Sequence, residues 1–293
     1  MARPIRRAAF GLVAVALVGA LGLTSCAAPG PDATVDAGLP TIDATTPGPG
    51  PVEGTSGISS PSASQSSKPA TRRSPTHAPS TKASTPTAPS TIASRLHTIP
   101  ASTRQLIVVY SNGYGTSVAS LETFEKVNGV WRSTFGVMSA RIGSKGFSDN
   151  HLEGVPTTPT GVYSIGSTMY GVNANPGVTF SYHRLVANDY WDENPSSPTY
   201  NSFVHGSDPG GFSEALWQTV PQYNYFAVIN YNIPARAATP ARGSGIFLHV
   251  MGSGATAGCV SLSQTNLLKV LRWLDPAASA RVVMAPSQSL DRY

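Results

Sequence analysis

The chain has 293 residues and a formal net charge of +5, a length that holds one or two domains. The charge is unevenly placed, because residues 102–293 carry twelve basic and eleven acidic side chains and the basic excess lies upstream of them. The folded part is therefore close to neutral, which argues against a basic surface for nucleic acid.

The first 25 residues have the pattern of a secretory signal peptide. Basic residues precede an apolar run from Ala8 to Leu23, which is too short for a confident membrane span. The following Leu23-Thr24-Ser25-Cys26 resembles a bacterial lipobox, which implies cleavage before Cys26 and a lipid thioether on its sulfur. The alternative is an ordinary signal with an incidental cysteine. We expect a lipoprotein anchored to the outer face of the cell membrane and facing the cell wall.

Residues 26–101 are rich in Ser, Thr, Pro and Ala, and no aromatic residue occurs between Phe10 and Tyr110. Such a segment cannot bury enough apolar surface to offset its ordering entropy, so it is predicted to be a disordered linker. As a flexible coil, roughly 70 residues span about 45 Å. The linker would act as a tether, although a solubilising or glycosylated stalk has the same composition.

Residues 102–287 predict one mainly β domain, a β-sandwich or mixed β fold with one clear C-terminal helix, followed by a tail at 288–293. The helix has Ser263 as its N-cap and ends at Asp275-Pro276. The stretch from Tyr170 to Gln218 is long and irregular, which is typical of the wall or lid of a cleft. The predicted strands are Leu106–Tyr110, Ser117–Val127, Val130–Met138, Gly161–Ile165, Tyr225–Tyr231, Ile246–Met251, Cys259–Leu262 and Arg281–Met284.

Cys259 is the candidate nucleophile and His249 its candidate base. The two lie on predicted strands joined by a loop of glycines and small residues, so we expect the strands to pair and bring both side chains within reach. With Cys26 assigned to lipid, a disulfide does not account for Cys259. The backbone N–H groups of Gly258 and Cys259 could form an oxyanion hole. From these residues alone a structural Cys–His pair is as well supported as a catalytic one.

The stretch from Gly245 to Leu262 resembles the active-site signature of the L,D-transpeptidase (YkuD-type) catalytic domain. The sequences Tyr190-Trp191-Asp192 and Pro198-Thr199-Tyr200-Asn201 resemble its actinobacterial members. Thr158-Pro159-Thr160-Gly161-Val162-Tyr163 is similar to the Thr-Pro-x-Gly turn of that family, and the resemblance extends from Gln105 to Pro286. Four departures stand out: Val250 follows the first histidine, the loop after it is shorter, Ala257 replaces the second histidine, and Ser261 replaces the usual Arg or Asn.

The resemblance implies a cysteine acyltransferase without metal or cofactor that forms 3→3 crosslinks between peptidoglycan stem peptides. Cys259 would carry the acyl group as a thioester, D-alanine would leave, and carbapenem-type inhibitors would react with the same thiol. His249 would be the general base, oriented through a backbone carbonyl such as that of Val250. The alternatives are an L,D-carboxypeptidase, an enzyme that anchors proteins to peptidoglycan, or a non-catalytic wall-binding lipoprotein.

Other residues have weaker signals. Tyr190, Trp191 and Ser261 are candidate substrate-binding residues, although packing is an equal alternative for the two aromatic residues. His205-Gly206 has the letters of the family motif but lies inside the irregular insertion, so we expect a cleft or loop residue there. His151 and His183 are expected to be exposed or hydrogen-bonded residues without a catalytic duty, and the scattered Asp and Glu residues do not form a metal-site pattern.

Overall fold

The structure, a computed structural model, describes residues 91–293. The predicted signal peptide, the lipidation site Cys26 and most of the predicted linker lie outside the described residues. Within them, no helix is long and apolar enough to cross a membrane.

The described part of the chain is mainly β with one α-helix, α1 (Gln264–Trp273), which confirms the predicted fold class. The first strands are β1 (Gln105–Ser111), β2 (Val118–Val127), β3 (Val130–Ser133), β4 (Met138–Arg141), β5 (Phe147–Ser148), β6 (Thr158–Pro159) and β7 (Gly161–Gly171). The others are β8 (Ser181–Arg184), β9 (Asp189–Asp192), β10 (Ser202–His205), β11 (Glu214–Ala215), β12 (Phe226–Ile229), β13 (Phe247–Val250), β14 (Val260–Leu262) and β15 (Arg281–Pro286). Short 3-10 helices cover Ile92–Arg95, Leu216–Gln218, Gln222–Asn224, Pro276–Ala278 and Ser287–Arg292.

The main sheet closes on itself. Its strands follow the order β1-β15-β7-β12-β13-β14-β4-β2, and β2 pairs back with β1. The β1–β15 and β13–β14 pairs are parallel, whereas the other pairs of this ring are antiparallel. Every strand of the ring contributes to one hydrophobic core, which the apolar face of α1 completes. Ser263 caps this helix by accepting a hydrogen bond from the Asn266 N–H at 3.3 Å.

Both faces of β1 are buried, which explains its continuous apolar run. Ile107 and Val109 belong to the main core, whereas Leu106 and Val108 pack in a second cluster on the other face. Strand residues alternate between faces, so a strand covered on both sides is apolar throughout.

The ends of the described chain fold onto this second cluster and correct the predicted boundaries. Ala93 of the predicted linker and Leu290 of the predicted tail are both fully buried. Arg95 Nε lies 2.9 Å from Asp291 Oδ1 and joins the two segments. The folded part therefore begins before residue 102 and includes residues 288–293, because these segments cover an apolar face of β1 that would otherwise be exposed.

Two further predictions need correction. The strand predicted to continue from Val130 to Met138 is interrupted after Ser133: β3 and β4 both pair antiparallel with β2, but the register shifts by two residues between them. Gly136, in the interrupting segment, has a φ of +69°, which glycine adopts without strain. The insertion predicted to be irregular contains a small sheet of its own, in the order β10-β9-β11. This small sheet packs against the outer face of the main sheet, where Trp191 contacts Phe247.

Candidate active site

His249 and Cys259 lie on the outer face of the main sheet. Strands β13 and β14 pair as expected, but they run parallel, so that His249 lies opposite Ser261. Cys259 precedes Ser261 by two positions and therefore lies on the same face as His249, diagonally across the pair. Phe247 and Cys259 share the outer hydrophobic cluster, whereas Leu248 faces the main core.

The Cys259 sulfur is held by the backbone of the strand that carries His249. Its Sγ lies 3.1 Å from the Gly245 carbonyl oxygen, to which the thiol donates, and accepts from the Phe247 N–H at 3.3 Å. The side chain is buried, with 8% of its surface exposed. The Phe247 N–H points at the sulfur and would stabilise a thiolate, because hydrogen bonds to an ionised acceptor are stronger than neutral ones.

His249 is oriented as a neutral base. Its Nδ1 lies 2.7 Å from the Val250 carbonyl oxygen, the orienting contact that the sequence predicts. Since only N–H can donate to a carbonyl, Nδ1 carries the proton and Nε2 is the acceptor nitrogen. Burial lowers the pKa of His249 from 6.5 to about 4, against a smaller opposing contribution from the Val250 hydrogen bond. The imidazole is therefore neutral at physiological pH.

Two threonine hydroxyls fix the turn that presents Cys259. Thr158 Oγ1 donates to the Gly258 carbonyl oxygen at 2.6 Å and accepts from the Gly143 N–H at 2.9 Å. Thr256 Oγ1 donates to the Cys259 carbonyl oxygen at 2.6 Å and accepts from the Gly258 N–H at 3.2 Å. The predicted oxyanion donor at Gly258 thus has a competing partner in Thr256, and its role stays a prediction.

Aromatic rings enclose the pair. The Tyr223 ring meets the His249 ring edge-on at a centroid distance of 5.7 Å and packs on Phe247 at the same distance. Trp191 is buried and its indole N–H donates to Asn201 Oδ1 at 3.0 Å, which supports packing over direct substrate contact. Tyr190 points to the other face of β9 and packs edge-on against Trp217 at 5.0 Å.

A comparison with models of protein families matches residues 102–284 to the L,D-transpeptidase catalytic domain, YkuD. The chain belongs to this family. The folded part is thus a cysteine-dependent transpeptidase or peptidase domain, of a family that acts on peptidoglycan stem peptides.

No curated protein matches this L,D-transpeptidase domain protein. The chain is similar to two crystal structures of the helical cell shape determining protein Pgp2 from Campylobacter jejuni, one of the wild type and one of a mutant. The sequence identity is 15% in both cases, and the TM-scores are 0.31 and 0.32. These matches cover 62% of this chain and 48% and 46% of the Pgp2 chains. The chain therefore spans about half the length of those proteins.

His151 is a part of the L,D-transpeptidase site that the sequence did not reveal. It is buried, and its Nδ1 lies 3.0 Å from Thr157 Oγ1. Its ring fills a space between two glycines: a Cβ at Gly243 would overlap the imidazole, and one at Gly258 would lie 3.4 Å from its Cε1. Burial lowers the pKa of His151 from 6.5 to about 4. A neutral imidazole thus packs directly against the residue that precedes the nucleophile.

Two glutamates contact the segment that leads into β13, and a third contacts Tyr223, which packs on His249. Glu153 accepts hydrogen bonds from Ser244 Oγ, at 2.6 Å, and from the Tyr200 hydroxyl. Glu214 accepts from the Tyr223 hydroxyl. Glu193 Oε1 lies against Gly245, where any Cβ would overlap it. No sequence motif marks these carboxylates, since they come from three separate loops and strands.

The remaining sequence candidates lie elsewhere. The Ser261 hydroxyl is buried opposite His249 and has no hydrogen-bond partner among residues 91–293. His183 Nε2 and His205 Nδ1 both contact the buried carboxylate of Asp189, at 2.8 and 2.7 Å. These contacts give His183 and His205 structural partners on the small sheet. Over the described range, no group of three or more His, Cys, Asp or Glu side chains has the arrangement of a metal site.

Proposed function

We propose that the protein is a cell-wall L,D-transpeptidase that forms 3→3 crosslinks. The observation that supports this most directly is the shared face of Cys259 and His249, with the imidazole held in the tautomer that leaves Nε2 free of a proton. A base of this kind can take the thiol proton and return it to a leaving amine.

In the proposed reaction, the Cys259 sulfur attacks the carbonyl carbon of the third residue of a stem peptide. The tetrahedral oxyanion is stabilised by backbone N–H groups beside the nucleophile. His249 gives its proton to the amine of the departing D-alanine, leaving a thioester on Cys259. An amine of a second stem peptide then attacks the thioester, forms the amide crosslink and regenerates the thiol.

The acylation half of this proposal is tested by intact-mass measurement after incubation with a carbapenem. The reduced wild-type protein should gain one adduct at neutral pH, and Cys259→Ala should gain none. A wild-type protein that remains unmodified would contradict an enzymatic role and favour a non-catalytic wall-binding protein.

The acceptor is tested separately, with a purified disaccharide-tetrapeptide as substrate. A crosslinked dimer identifies a transpeptidase, whereas a tripeptide alone identifies an L,D-carboxypeptidase. Attachment of a protein amine in place of the second stem would identify an anchoring enzyme. Mass spectrometry of the products separates these outcomes because each has a different mass.

We also propose that Cys26 carries a lipid that anchors the protein outside the cell membrane. Its support is the lipobox-like sequence alone. Cys26→Ala, or inhibition of the lipoprotein signal peptidase with globomycin, should change processing and release the protein from membranes. Unchanged processing and membrane retention would contradict the anchor.

A further inference from the structure

Arg141 is a partly buried arginine on the face of the main sheet that carries the nucleophile. Strand β4 pairs with β14 on the side away from β13. Arg141 is the register partner of Ser261, which is itself opposite His249. The neighbouring pair, Ala140 and Leu262, faces the main core. Because side chains alternate between faces, Arg141 shares the outer face with Ser261 and His249.

This arrangement places Arg141 within reach of a substrate bound at the thiol. Neighbouring strands lie about 4.8 Å apart, and residues two positions apart on a strand lie about 6.6 Å apart. Cys259 precedes Ser261 by two positions, so the backbone of Arg141 lies about 8 Å from that of Cys259. An extended peptide advances about 3.5 Å per residue. A group one or two residues from the acylated carbonyl can therefore meet the Arg141 side chain.

The backbone that carries Arg141 is fixed to the turn that presents Cys259. Two residues after Arg141, the Gly143 N–H donates to Thr158 Oγ1 at 2.9 Å. The same Thr158 hydroxyl donates to the Gly258 carbonyl oxygen at 2.6 Å. One hydrogen-bonded framework thus holds both the arginine and the nucleophile, as a substrate contact that must be aligned with the sulfur requires.

The polar groups of Arg141 and Ser261 have hydrogen-bonding capacity that residues 91–293 leave unused. Within this range the Arg141 guanidinium takes part in no ion pair and no hydrogen bond. The Ser261 hydroxyl beside it is completely buried and has no partner among the same residues. Enclosed polar groups in proteins are nearly always hydrogen-bonded. Two adjacent groups without partners, next to His249, therefore indicate a polar ligand.

The donors at this place favour a carboxylate as the ligand. A guanidinium presents five N–H donors in a planar fork that matches the two oxygens of a carboxylate, and a hydroxyl adds one more donor. A stem tetrapeptide has a free carboxylate on its terminal D-alanine and another on the acidic residue before the acylated one. Some stems carry a third on the acylated residue itself. All of them lie close to the carbonyl that Cys259 would attack.

We propose that Arg141, assisted by the Ser261 hydroxyl, forms a subsite that binds a free carboxylate of the donor stem peptide and aligns its third-residue carbonyl with Cys259. This inference rests on the proposed acyl transfer and specifies how the donor is recognised. Amidation of the recognised carboxylate removes its charge, so stems amidated there bind more weakly. The subsite acts before any covalent step and is therefore measurable in a protein without the nucleophile.

The test measures binding of a synthetic stem tetrapeptide to the full-length chain carrying Cys259→Ala, which cannot form the thioester. Isothermal titration calorimetry compares this parent with versions that also carry Arg141→Gln, Arg141→Lys or Ser261→Ala. The ligands are the tetrapeptide with all carboxylates free and versions amidated at one carboxylate each. The matched control is Arg132→Gln, which makes the same change at an exposed arginine of β3 that forms no ion pair in the part of the chain that the structure describes.

Arg141→Gln should raise the Kd of the unmodified peptide by about tenfold, a loss between those of an exposed ion pair and a charged hydrogen bond. Ser261→Ala should raise it by about threefold, the scale of a neutral hydrogen bond. Arg141→Lys should recover part of the loss, because it restores the charge but not the fork. Arg132→Gln should stay within about twofold of the parent, as a surface substitution does.

The amidated peptides identify the carboxylate. One of them should bind the parent about tenfold more weakly than the unmodified peptide does, and its Kd should not change further with Arg141→Gln. The two changes are not additive when they remove the same contact. The other amidated peptides should keep the full dependence on Arg141.

Four results would overturn the subsite. Arg141→Gln could bind the unmodified peptide as tightly as the parent, or it could weaken every peptide equally, which would place Arg141 in the fold. Arg132→Gln could lose as much affinity, which would show a general effect of charge. The parent could bind none of the peptides. Arg141-dependent binding by a protein whose wild type does not react with a carbapenem is a different result, because it contradicts acyl transfer and leaves the subsite in a wall-binding protein.

Discussion

Removing the Thr158 hydroxyl tests whether its hydrogen bonds position the turn that carries Cys259. Thr158 is fully buried, and its Oγ1 joins the Gly143 N–H, at 2.9 Å, to the Gly258 carbonyl oxygen, at 2.6 Å. Thr158→Val keeps the shape of the side chain but removes both hydrogen bonds. It leaves a buried donor and a buried acceptor unsatisfied, at about 1–3 kcal/mol each.

The expected loss of unfolding free energy is therefore about 2–6 kcal/mol, which a domain in the middle of the usual range of about 5–15 kcal/mol survives at 25 °C. Because the Gly258 carbonyl oxygen is the anchor that is lost, the turn before Cys259 should shift. Misplacement of a reacting group by about 1 Å can cost about 100-fold in rate, so carbapenem acylation of the folded variant should slow by about tenfold or more. Urea unfolding and stopped-flow acylation measure the two effects.

Thr158→Ser and Thr160→Val are the matched controls. The serine restores the hydroxyl, so acylation should return to near the wild-type rate. Thr160→Val makes the same chemical change in the same turn but removes an exposed hydrogen bond to Asp149, which should cost less than about 1 kcal/mol. If Thr158→Val were acylated at the wild-type rate with wild-type stability, the threonine would not hold the nucleophile turn.

Three other outcomes are expected. Gly245→Ala should destabilise the fold and slow acylation, because its φ is +61° and a Cβ would overlap Glu193, whereas Gly254→Ala has open space and should be neutral; equal melting temperatures would contradict this. The free energy of unfolding should fall as pH drops from 6.5 to about 4, because both histidines, His151 and His249, bind a proton in the unfolded chain at a pH where burial keeps them neutral in the folded one. Each histidine contributes about 3 kcal/mol to this pH dependence. His151→Gln should therefore reduce the loss of unfolding free energy between pH 6.5 and 4, measured by urea unfolding, and an unchanged pH dependence would contradict this. Iodoacetamide should alkylate buried Cys259 more slowly than a cysteine peptide at pH 7; faster alkylation would show an exposed thiolate.

Much of the fold follows from local sequence patterns. The apolar runs at β1, β7 and β15 and the Ser263 cap of α1 are at or near their predicted positions. The parallel pairing of β13 and β14 is not evident from sequence, because parallel strands usually need a longer crossover. Burial fixes the register instead, since Leu248 and Val260 must both face the core.

The candidate active site also contains some residues that the local sequence predicts and others that it does not. His249 and Cys259 lie within one short stretch, so neighbouring residues predict the pair, and the family resemblance implies the Val250 contact. His151, Glu193 and Glu214 come from distant segments that only the closed sheet and its insertion bring together. A single sequence has no pattern for such contacts, and two of these residues are ordinary surface types whose burial depends on what packs over them.

The burial of Cys259 and His249 influences the protonation state of the thiol before substrate binds. Burial disfavours both the imidazolium and the thiolate, because each loses hydration, and the pKa of His249 is already lowered to about 4. The Cys259 thiol donates to the Gly245 carbonyl oxygen instead of to solvent. These contacts favour a protonated thiol beside a neutral imidazole, and the Phe247 N–H, which donates to the sulfur, is placed to stabilise negative charge on Sγ as it forms. On this reasoning we expect the proton to leave the sulfur during attack on a bound carbonyl and not before.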